Sequence, residues 1–404
     1  MTGAPALYTA EFRRACALHF AGAMSLALFL LFPLYVQALG GTEATIGLLL
    51  GVGTAASVAA RPVVGLLLDR VGRRRVLVAF GVGNLLSWVP FLLLDRVGPA
   101  LWLWTICHEV MWGALFAAYF TYAADLAPIG RRAEGIAIFG IAGMAANGLA
   151  PIIGERVIDG GGFAAFFGLA IAFAAVSVGL SLAVPAGEVR RPHEAPPTLR
   201  DVARLARHPR LVPVMLATAL LGIAINAAYM FTAPYTRAIA IARVGPFFAA
   251  YSATSVAIRL AGRRTLDMLG PHRVSGPGFV AYALGLAGLA MLPALGDGLP
   301  TLVLVASGIG CGAGHGSLFP VLNALAISRV PTRQQGAVVG LHTAAIDAGA
   351  VFGMPLCGIV AERCGYPAMF AVMALACTGG VVLMAKDGRS EGRRRHERER
   401  VDEM

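Results

Sequence analysis

The chain has 404 residues, of which 57% are hydrophobic and only 14% charged, and its mean hydropathy is +0.72. This composition excludes a soluble domain with a polar surface and indicates a protein of the lipid bilayer. The net charge of +11 would suit a nucleic-acid partner. We expect none, because nearly all basic residues lie between apolar segments or in the C-terminal tail, where membrane topology explains them better.

Apolar segments recur along the whole chain at the length of about 20 residues that a helix needs to cross the hydrocarbon core. They predict twelve spans, and no ten-residue alternating pattern indicates a barrel. The predicted spans are 15–39, 44–68, 76–95, 99–125, 134–158, 163–185, 211–234, 244–262, 274–294, 300–327, 335–361 and 367–385. The first is longer than a signal-peptide core and lacks a small-residue cleavage site, so we expect a retained helix.

Basic residues are distributed unequally between the two ends of these spans. One end carries, among others, Arg13, Arg14, Arg70, Arg75, Arg131, Arg190, Arg264, Arg329, Arg333 and Lys386. Four loops at the other end, near 40–42, 95–99, 159–162 and 296–300, contain only Arg96 among them. Because positively charged loops stay on the cytoplasmic side, the pattern predicts a multi-pass protein of the inner (cytoplasmic) membrane with both termini in the cytoplasm.

Two parts of the chain resemble each other, which indicates an internal repeat. The residues Arg61, Asp69, Gly72 and Arg75 recur, all at one offset, as Arg259, Asp267, Gly270 and Arg273. A repeat of about 200 residues predicts two parallel six-helix bundles with a site between them near the membrane midplane. We expect the bundles at 1–186 and 211–385, a linker with a short amphipathic helix at 187–210, and a charged, disordered cytoplasmic tail at 386–404.

The loop after the second predicted span carries the most specific motif of the chain. Its defining residues are Gly65, Asp69, Arg70, Gly72, Arg73 and Arg74. It resembles the Gly-x-Leu-x-Asp-Arg-x-Gly-Arg-Arg loop between the second and third helices of the major facilitator superfamily of transporters. The resemblance implies an all-α membrane protein with twelve transmembrane helices in two pseudo-symmetric bundles. It also implies a cytoplasmic latch of Asp69, Arg73 and Asp125 that holds the outward-open state.

An ionisable side chain inside a span costs about 3 kcal/mol on insertion scales, so each one is a functional candidate. Counting from the span ends places Glu109, Asn147, Asn226, His315 and Asp347 near mid-depth. Glu109 is the strongest proton-coupling candidate, because a carboxylate that loses its water tends to hold a proton, which it can exchange for a substrate. Asp347 and His315 are further proton-coupling candidates. For all three, a hydrogen-bonded structural role is the alternative.

The superfamily resemblance also points to the residues of a substrate cavity, because helices one, four, seven and ten line it there. By this rule Glu109, Asn226 and His315 are the best cavity candidates. Asn147, Tyr229 and His108 are further candidates, with packing as the alternative for Tyr229. Arg61 and Arg259 lie about two helical turns before their loop aspartates. We expect them to snorkel to the cytoplasmic surface rather than to form gating ion pairs.

A second motif lies on the fifth predicted span, from Gly140 to Gly154. It resembles the antiporter motif of drug:proton exporters, which ends in Gly-Pro-x-x-Gly-Gly, but Ala150 and Glu155 replace two of its glycines. Glu109 also stands where those exporters carry an Arg. The departures weaken the case for export and imply that proton handling is arranged differently, which makes a cationic substrate easier to accommodate.

The sequence contains no nucleotide-binding loop with Lys, no metal-ligand spacing and no Ser/His/Asp constellation, so we predict no cofactor, no metal and no enzyme activity. The six cysteines are scattered and are expected to be small buried hydrophobes. We predict a secondary transporter similar to bacterial sugar-efflux and multidrug exporters, which moves a small organic solute outward against protons. A facilitator or importer on the same fold, or a membrane sensor, is the alternative. Membrane lipids are the other expected partners, and we expect a monomer.

Overall fold

The computed structural model of the chain describes residues 7–128, 131–185, 204–241, 243–261, 269–296 and 299–402. These ranges are almost entirely helical and contain no strand. The amphipathic helix predicted in the linker at 187–210 lies mostly outside the described residues, as does Asp267 of the repeated motif.

The long helices follow one another with short connections. They are α1 (Ala10–Ala38), α2 (Glu43–Val71), α3 (Arg73–Leu92), α4 (Pro99–Leu126), α5 (Arg132–Leu182), α6 (Val212–Ala238), α7 (Gly245–Ala261), α8 (Pro271–Ala294), α9 (Leu299–Ser328) and α10 (Gln335–Asp402). Within the described ranges, nine helical stretches are long and apolar enough to cross a membrane, and α7 is slightly shorter, with 17 residues. The twelve predicted spans are matched one to one only if α7 is included and α5 and α10 are each counted twice, because both helices are broken in the middle.

The breaks and the tightest connections are made by glycine. Gly72 (φ 93°), Gly162 (φ 69°) and Gly365 (φ 84°) each join two consecutive helices, and Gly270 (φ 76°) directly precedes α8. Their ψ values of 155°, −170°, 157° and 161° place them in a backbone region that is essentially restricted to glycine. At Gly72 this conformation lets the chain turn back into the next helix without a loop. The motif glycine at 72 has a counterpart at Gly270, which adopts the same conformation.

The helices pack in two groups. In the first, α1 contacts α5, and α4 contacts α2 and α3; in the second, α10 contacts α6 and α8, and α9 contacts α7 and α8. The groups meet where α2 contacts α10 and where α5 contacts α7. Since α2 corresponds to α7 and α5 to α10 in the repeat, the two interfaces are related as a pseudo-two-fold axis requires. One cluster of buried apolar side chains runs through both bundles.

The C-terminal tail differs from the prediction of a disordered segment at 386–404, because α10 continues as a helix to Asp402. Arg329, at the end of α9, donates to Asp387 (Nη1 to Oδ1, 3.1 Å) and to Glu391 (Nη2 to Oε2, 3.0 Å). His272 Nε2 lies 2.9 Å from the same Glu391 oxygen. Asp387 and Glu391 of the tail therefore face basic side chains at the ends of two neighbouring helices. These partners explain why the first part of the tail is helical.

The glycine conformation gives a direct test of the break in α5. Gly162 and Gly168 both have open space where a Cβ would lie, but only Gly162 has a positive φ. We expect Gly162→Ala to lower the free energy of unfolding by about 1–3 kcal/mol because of backbone strain. The matched Gly168→Ala variant, in regular helix, should be neutral or stabilising. Thermal unfolding in detergent measures both, and equal melting temperatures would contradict the assigned conformation.

Candidate functional site

Two sides of the molecule are named by their connections. The loop-40 side carries Gly40 and the breaks at Gly162 and Gly365. The terminal side carries Gly72, Gly270, the start of α1 and the end of α10. The candidate site lies between these sides, where α2 and α4 of the first bundle face α10 of the second.

Glu109 on α4 lies directly against α2. A Cβ placed on Gly53 would be 2.7 Å from the Glu109 Cγ, so only a glycine at this position leaves room for the carboxyl side chain. One turn further along both helices the relation is reversed, and Ser57 of α2 packs onto Gly113 of α4. Two glycines, one on each helix, therefore bring α2 and α4 together around Glu109. Sequence reasoning missed Gly53 because its partner lies on another helix.

Arg61 of α2 forms an ion pair with Asp347 of α10, which links the two bundles. The side chains of Arg61 and Asp347 are 31% and 17% exposed, so the pair lies inside the protein rather than at a solvated rim. The prediction that Arg61 snorkels to the membrane surface is wrong, because a carboxylate on the facing helix provides its counter-charge. Glu109 and Asp347 are also close enough to interact electrostatically. Arg61 thus neutralises one of the two acids, Asp347, while Glu109 lies about two helical turns away along α2, at Gly53.

His108 does not contribute to a cavity, contrary to the prediction. Its side chain is fully buried inside the first bundle, with Nδ1 2.8 Å from the Ser87 hydroxyl. Its ring lies 4.6 Å from the ring of Phe29 and 4.4 Å from that of Trp88. The physical reason is helical geometry, since consecutive residues point about 100° apart. When Glu109 faces α2, its neighbour is directed into the bundle.

His315 on α9 lies in the core of the second bundle. Its Nδ1 is 2.8 Å from the Tyr251 hydroxyl, which is in turn 3.2 Å from the Tyr282 hydroxyl. The side chain of His315 is 8% exposed. A histidine hydrogen-bonded in this way fits the structural alternative, and a role in proton transfer stays a prediction.

Asn147 and Tyr229 lie at the interface between the bundles. Gly148, next to Asn147, packs on Ser252 of α7, and the ring of Tyr229 lies 5.0 Å from the ring of Tyr251 on α7, at a tilt of 54°. The Tyr229 hydroxyl is buried close to the side chains of Asn147 and Tyr251, but neither is in good hydrogen-bonding geometry with it. Both positions suit the expected substrate cavity.

Asn226 has a weaker claim on a substrate. It lies on α6, is partly buried, and donates through Nδ2 to the carbonyl of Gly222 on its own helix at 2.9 Å. Its place in the cavity stays a prediction.

The residues of the loop motif come together as the resemblance implies. Arg73 Nε lies 2.7 Å from the Asp125 carboxylate, and its Nη1 lies 3.7 Å from Asp69 and donates to the Leu68 carbonyl at 2.7 Å. All of them belong to the first bundle, and no ion pair to the second bundle is formed by them within the described ranges. The other motif residues are peripheral: Gly65 has open space around it, Arg70 is exposed, Arg74 is partly exposed, and Gly72 forms the turn.

The loop-40 side is closed by two carboxylates, each of which crosses from one bundle to a helix N-terminus of the other. Glu155 of α5 accepts from the backbone N–H groups of Val244 (2.7 Å) and Gly245 (2.8 Å) at the start of α7. Glu362 of α10 accepts from the N–H of Ala44 (3.0 Å) at the start of α2. Free N–H groups and the helix dipole make such a terminus attractive to an anion. Glu155, which replaces a motif glycine, therefore has a defined partner.

The terminal side has a different character. Among the described residues, the hydrogen bonds and ion pairs between the bundles lie on the loop-40 side or, for Arg61 and Asp347, in the middle. Within the described ranges, two helical bundles meet around a central charged site and are tied together on the loop-40 side and in the middle, an arrangement typical of a membrane transporter.

The comparison with protein families agrees with this geometry. The profile of the Major Facilitator Superfamily matches residues 15–310 and 238–402, and the chain belongs to this superfamily. Its fold and family are those of transporters and not of enzymes.

Among curated proteins, the chain is 28% identical over 344 residues to a chloramphenicol resistance protein of Streptomyces lividans, covering 80% of this chain and 81% of that protein. It is 32% identical over 128 residues to an uncharacterised MFS-type transporter of Burkholderia mallei (strain SAVP1), and this match spans 32% of the chain but only 30% of the relative. The fold resembles the nucleoside transporter NupG, with a TM-score of 0.77, 14% identity, and coverage of 94% of this chain and 99% of that one. It also resembles the peptide transporter POT in complex with sulfate, with a TM-score of 0.72, 16% identity, and 94% of each chain covered.

The two carboxylate caps predict how the loop-40 side opens. Glu155→Gln replaces one accepting oxygen by a donor facing an N–H group, and Glu362→Gln removes the charge. We expect each change to weaken closure by about 1.5 kcal/mol, which shifts the ratio of open to closed molecules about tenfold. Spin labels on Leu93→Cys and Leu299→Cys, in a cysteine-free background, report the separation.

The matched control for this measurement is Asp159→Asn on the same side. Asp159 lies 4.0 Å from Arg237 across the interface, but both side chains are half-exposed, so the pair should contribute little. We expect the label distances of this variant to equal those of the parent. Unchanged distances in both glutamine variants would show that the caps do not hold the bundles together.

Proposed function

We propose that this protein is a secondary transporter that exports a small organic solute in exchange for protons by alternating access. It lies in the inner membrane with both termini in the cytoplasm. The observation that carries the proposal is the group of Glu109, Asp347 and Arg61 at the interface of the bundles. An acid in this position binds a proton in one state and releases it in another.

The charges of the group support a coupling mechanism. In an apolar site, one guanidinium neutralises one carboxylate, so the second acid favours its protonated form. While α2 and α10 are in contact, Asp347 is paired with Arg61 and Glu109 carries the proton. When the bundles move and α10 leaves α2, Glu109 loses its neighbour Asp347 and becomes open to water. The Glu109 proton then passes to water on the open side.

The direction of transport is supported by two further points. The relative from Streptomyces lividans is named for resistance to chloramphenicol, and its match covers most of both chains. With cytoplasmic termini, the closed loop-40 side faces away from the cytoplasm. An exporter takes up its cargo in a state that is closed on this side.

The proton-coupling proposal predicts the behaviour of Glu109→Gln, which keeps the shape of the side chain but cannot release a proton. Inverted vesicles are energised by respiration, and a pH-sensitive dye follows the gradient while chloramphenicol, sugars, cationic drugs and organic anions are added in turn. We expect one class to collapse the gradient with the parent protein and none to do so with Glu109→Gln. Glu11→Gln, at an exposed acid, should behave as the parent.

Two results would contradict proton coupling by Glu109. A full response in Glu109→Gln would assign the proton to another group. If no compound collapses the gradient although a radiolabelled solute equilibrates across the membrane, the protein is a facilitator.

The proposed latch on the terminal side predicts different effects for its two acids. Because Arg73 lies closer to Asp125 than to Asp69, we expect Asp125→Asn to lower turnover more than Asp69→Asn. In both variants the half-saturation concentration should change less than the rate. Initial rates in the same vesicles measure this, with the exposed Asp95→Asn on the loop-40 side as control. Normal rates in both latch variants would count against a gating role.

A further inference from the structure

The repeat places two arginines in corresponding positions, but the structure gives them different surroundings. Arg61 on α2 is neutralised by Asp347 on the facing helix of the other bundle. Arg259 on α7 has no carboxylate within ion-pair distance among the described residues. The breaks at Gly162 and Gly365 relate α5 to α10 at an offset of 203, so the position that corresponds to Asp347 is Met144 on α5, and its side chain carries no charge. The second arginine therefore lacks the counter-ion that the first one has.

Arg259 does not reach for the membrane surface. Its guanidinium carbon lies 5.5 Å from the ring centroid of Phe319 on α9, in a cation–π contact inside the second bundle. It also interacts electrostatically with Tyr229, Tyr251 and His315. Tyr251 lies two helical turns back toward the loop-40 side, so the side chain is directed into the protein. The snorkelling predicted for Arg259 is wrong, as it is for Arg61.

The polar atoms around Arg259 are also unsatisfied. Its Nε is buried without a hydrogen-bond partner, and so is the hydroxyl of Tyr229, within the part of the chain that the structure describes. A guanidinium stays charged in proteins, so it cannot relieve burial by losing its proton. Leaving a charged donor unpaired is costly, and a bidentate anion is the group that best satisfies it.

We propose that Arg259 binds a negatively charged group of the transported solute, a carboxylate or a phosphate. The Tyr229 hydroxyl and the Asn147 carboxamide are placed to hydrogen-bond the same ligand at the bundle interface. This assignment rests on the proposed transport function and narrows its substrate class to organic anions, including zwitterions whose cationic end faces Glu109 and Asp347. This substrate class differs from the cationic substrate that the departures from the exporter motifs make easier to accommodate.

The site also gives the anion a role in the transport cycle. Arg259, Tyr229 and Phe319 belong to the second bundle, whereas Asn147 belongs to the first. A ligand that contacts both therefore joins α5 to the second bundle, as Asp347 joins α2 to it on the other side. An unloaded site lacks this link, so bound cargo adds to the contacts that α5 and α7 already make with each other.

The test uses purified full-length protein and pairs of probes that differ in charge. Thermal unfolding is followed with benzoate and succinate, with their neutral amides benzamide and succinamide, and with glycerol phosphate and inorganic phosphate. We expect an anion, but not its amide, to raise the melting temperature. Arg259→Gln should weaken its apparent affinity about ten- to a hundredfold, and Arg259→Lys should weaken it less. Arg237→Gln, at a half-exposed arginine of the loop-40 side, should bind as the parent does.

A second measurement needs no variant and covers the case in which Arg259→Gln does not fold. Phenylglyoxal modifies accessible arginines, and mass spectrometry quantifies the modification of Arg259 in the wild-type protein. The stabilising anion should protect Arg259, and its amide should not. Protection by glycerol phosphate but not by carboxylates would assign the site to phosphorylated solutes, and the reverse pattern to carboxylic acids. Protection by vesicles of anionic lipid alone would overturn the assignment to a solute.

The outcomes for binding and for transport are separable. If no anion stabilises the protein or protects Arg259, or if Arg259→Gln binds the anion as the parent does, the anion site is wrong while transport of another solute class stands. If the anion binds through Arg259 but the labelled compound does not cross proteoliposome membranes, the site stands and the proposed transport function fails.

Discussion

A charge inside the hydrocarbon layer must find a counter-charge, a proton or water, and this requirement organises the centre of the molecule. Arg61 meets it with Asp347, which lies on the other bundle. Glu109, whose nearest cation is already taken, meets it in our proposal with a proton. Arg259 has no carboxylate partner among the described residues and, in our proposal, binds an anionic ligand. The Arg61–Asp347 pair therefore both neutralises buried charge and connects the bundles. A motion that separates α2 from α10 must change the charge state of the site.

The loop-40 side obeys the same electrostatic rule with backbone groups in place of arginines. A helix that starts at the bundle interface exposes N–H groups without partners. Glu155 and Glu362 supply the missing acceptors from the opposite bundle. The two caps are related by the internal repeat, so closure is distributed over both interfaces and does not depend on one contact. Such hydrogen bonds are individually modest, and a side held in this way can open without the loss of a large apolar surface.

The relatives share the fold much more widely than they share the central side chains. NupG and POT resemble the chain over most of its length at 14% and 16% identity, which reflects the common packing of two bundles. Selectivity depends on a few polar groups in the middle, and these are where the chain departs from the exporter motifs it resembles. Glu109 and Glu155 both stand at such positions, and each has a physical role in the structure. A site with two acids on one side and an uncompensated arginine on the other is suited to a solute that carries both signs of charge.

The sequence by itself determined the spans, the repeat, the tight connection at Gly72 and the grouping of Arg73 with Asp69 and Asp125. It did so because a bilayer forces the backbone into helices of a set length, and because a reversal between them needs glycine. Only the tertiary structure decided that Glu109 and not His108 faces α2, that Arg61 has a counter-ion while Arg259 has none among the described residues, and that Asp387 and Glu391 of the tail have basic partners. These outcomes depend on contacts between residues far apart in the chain, for which helical periodicity gives a direction but no partner.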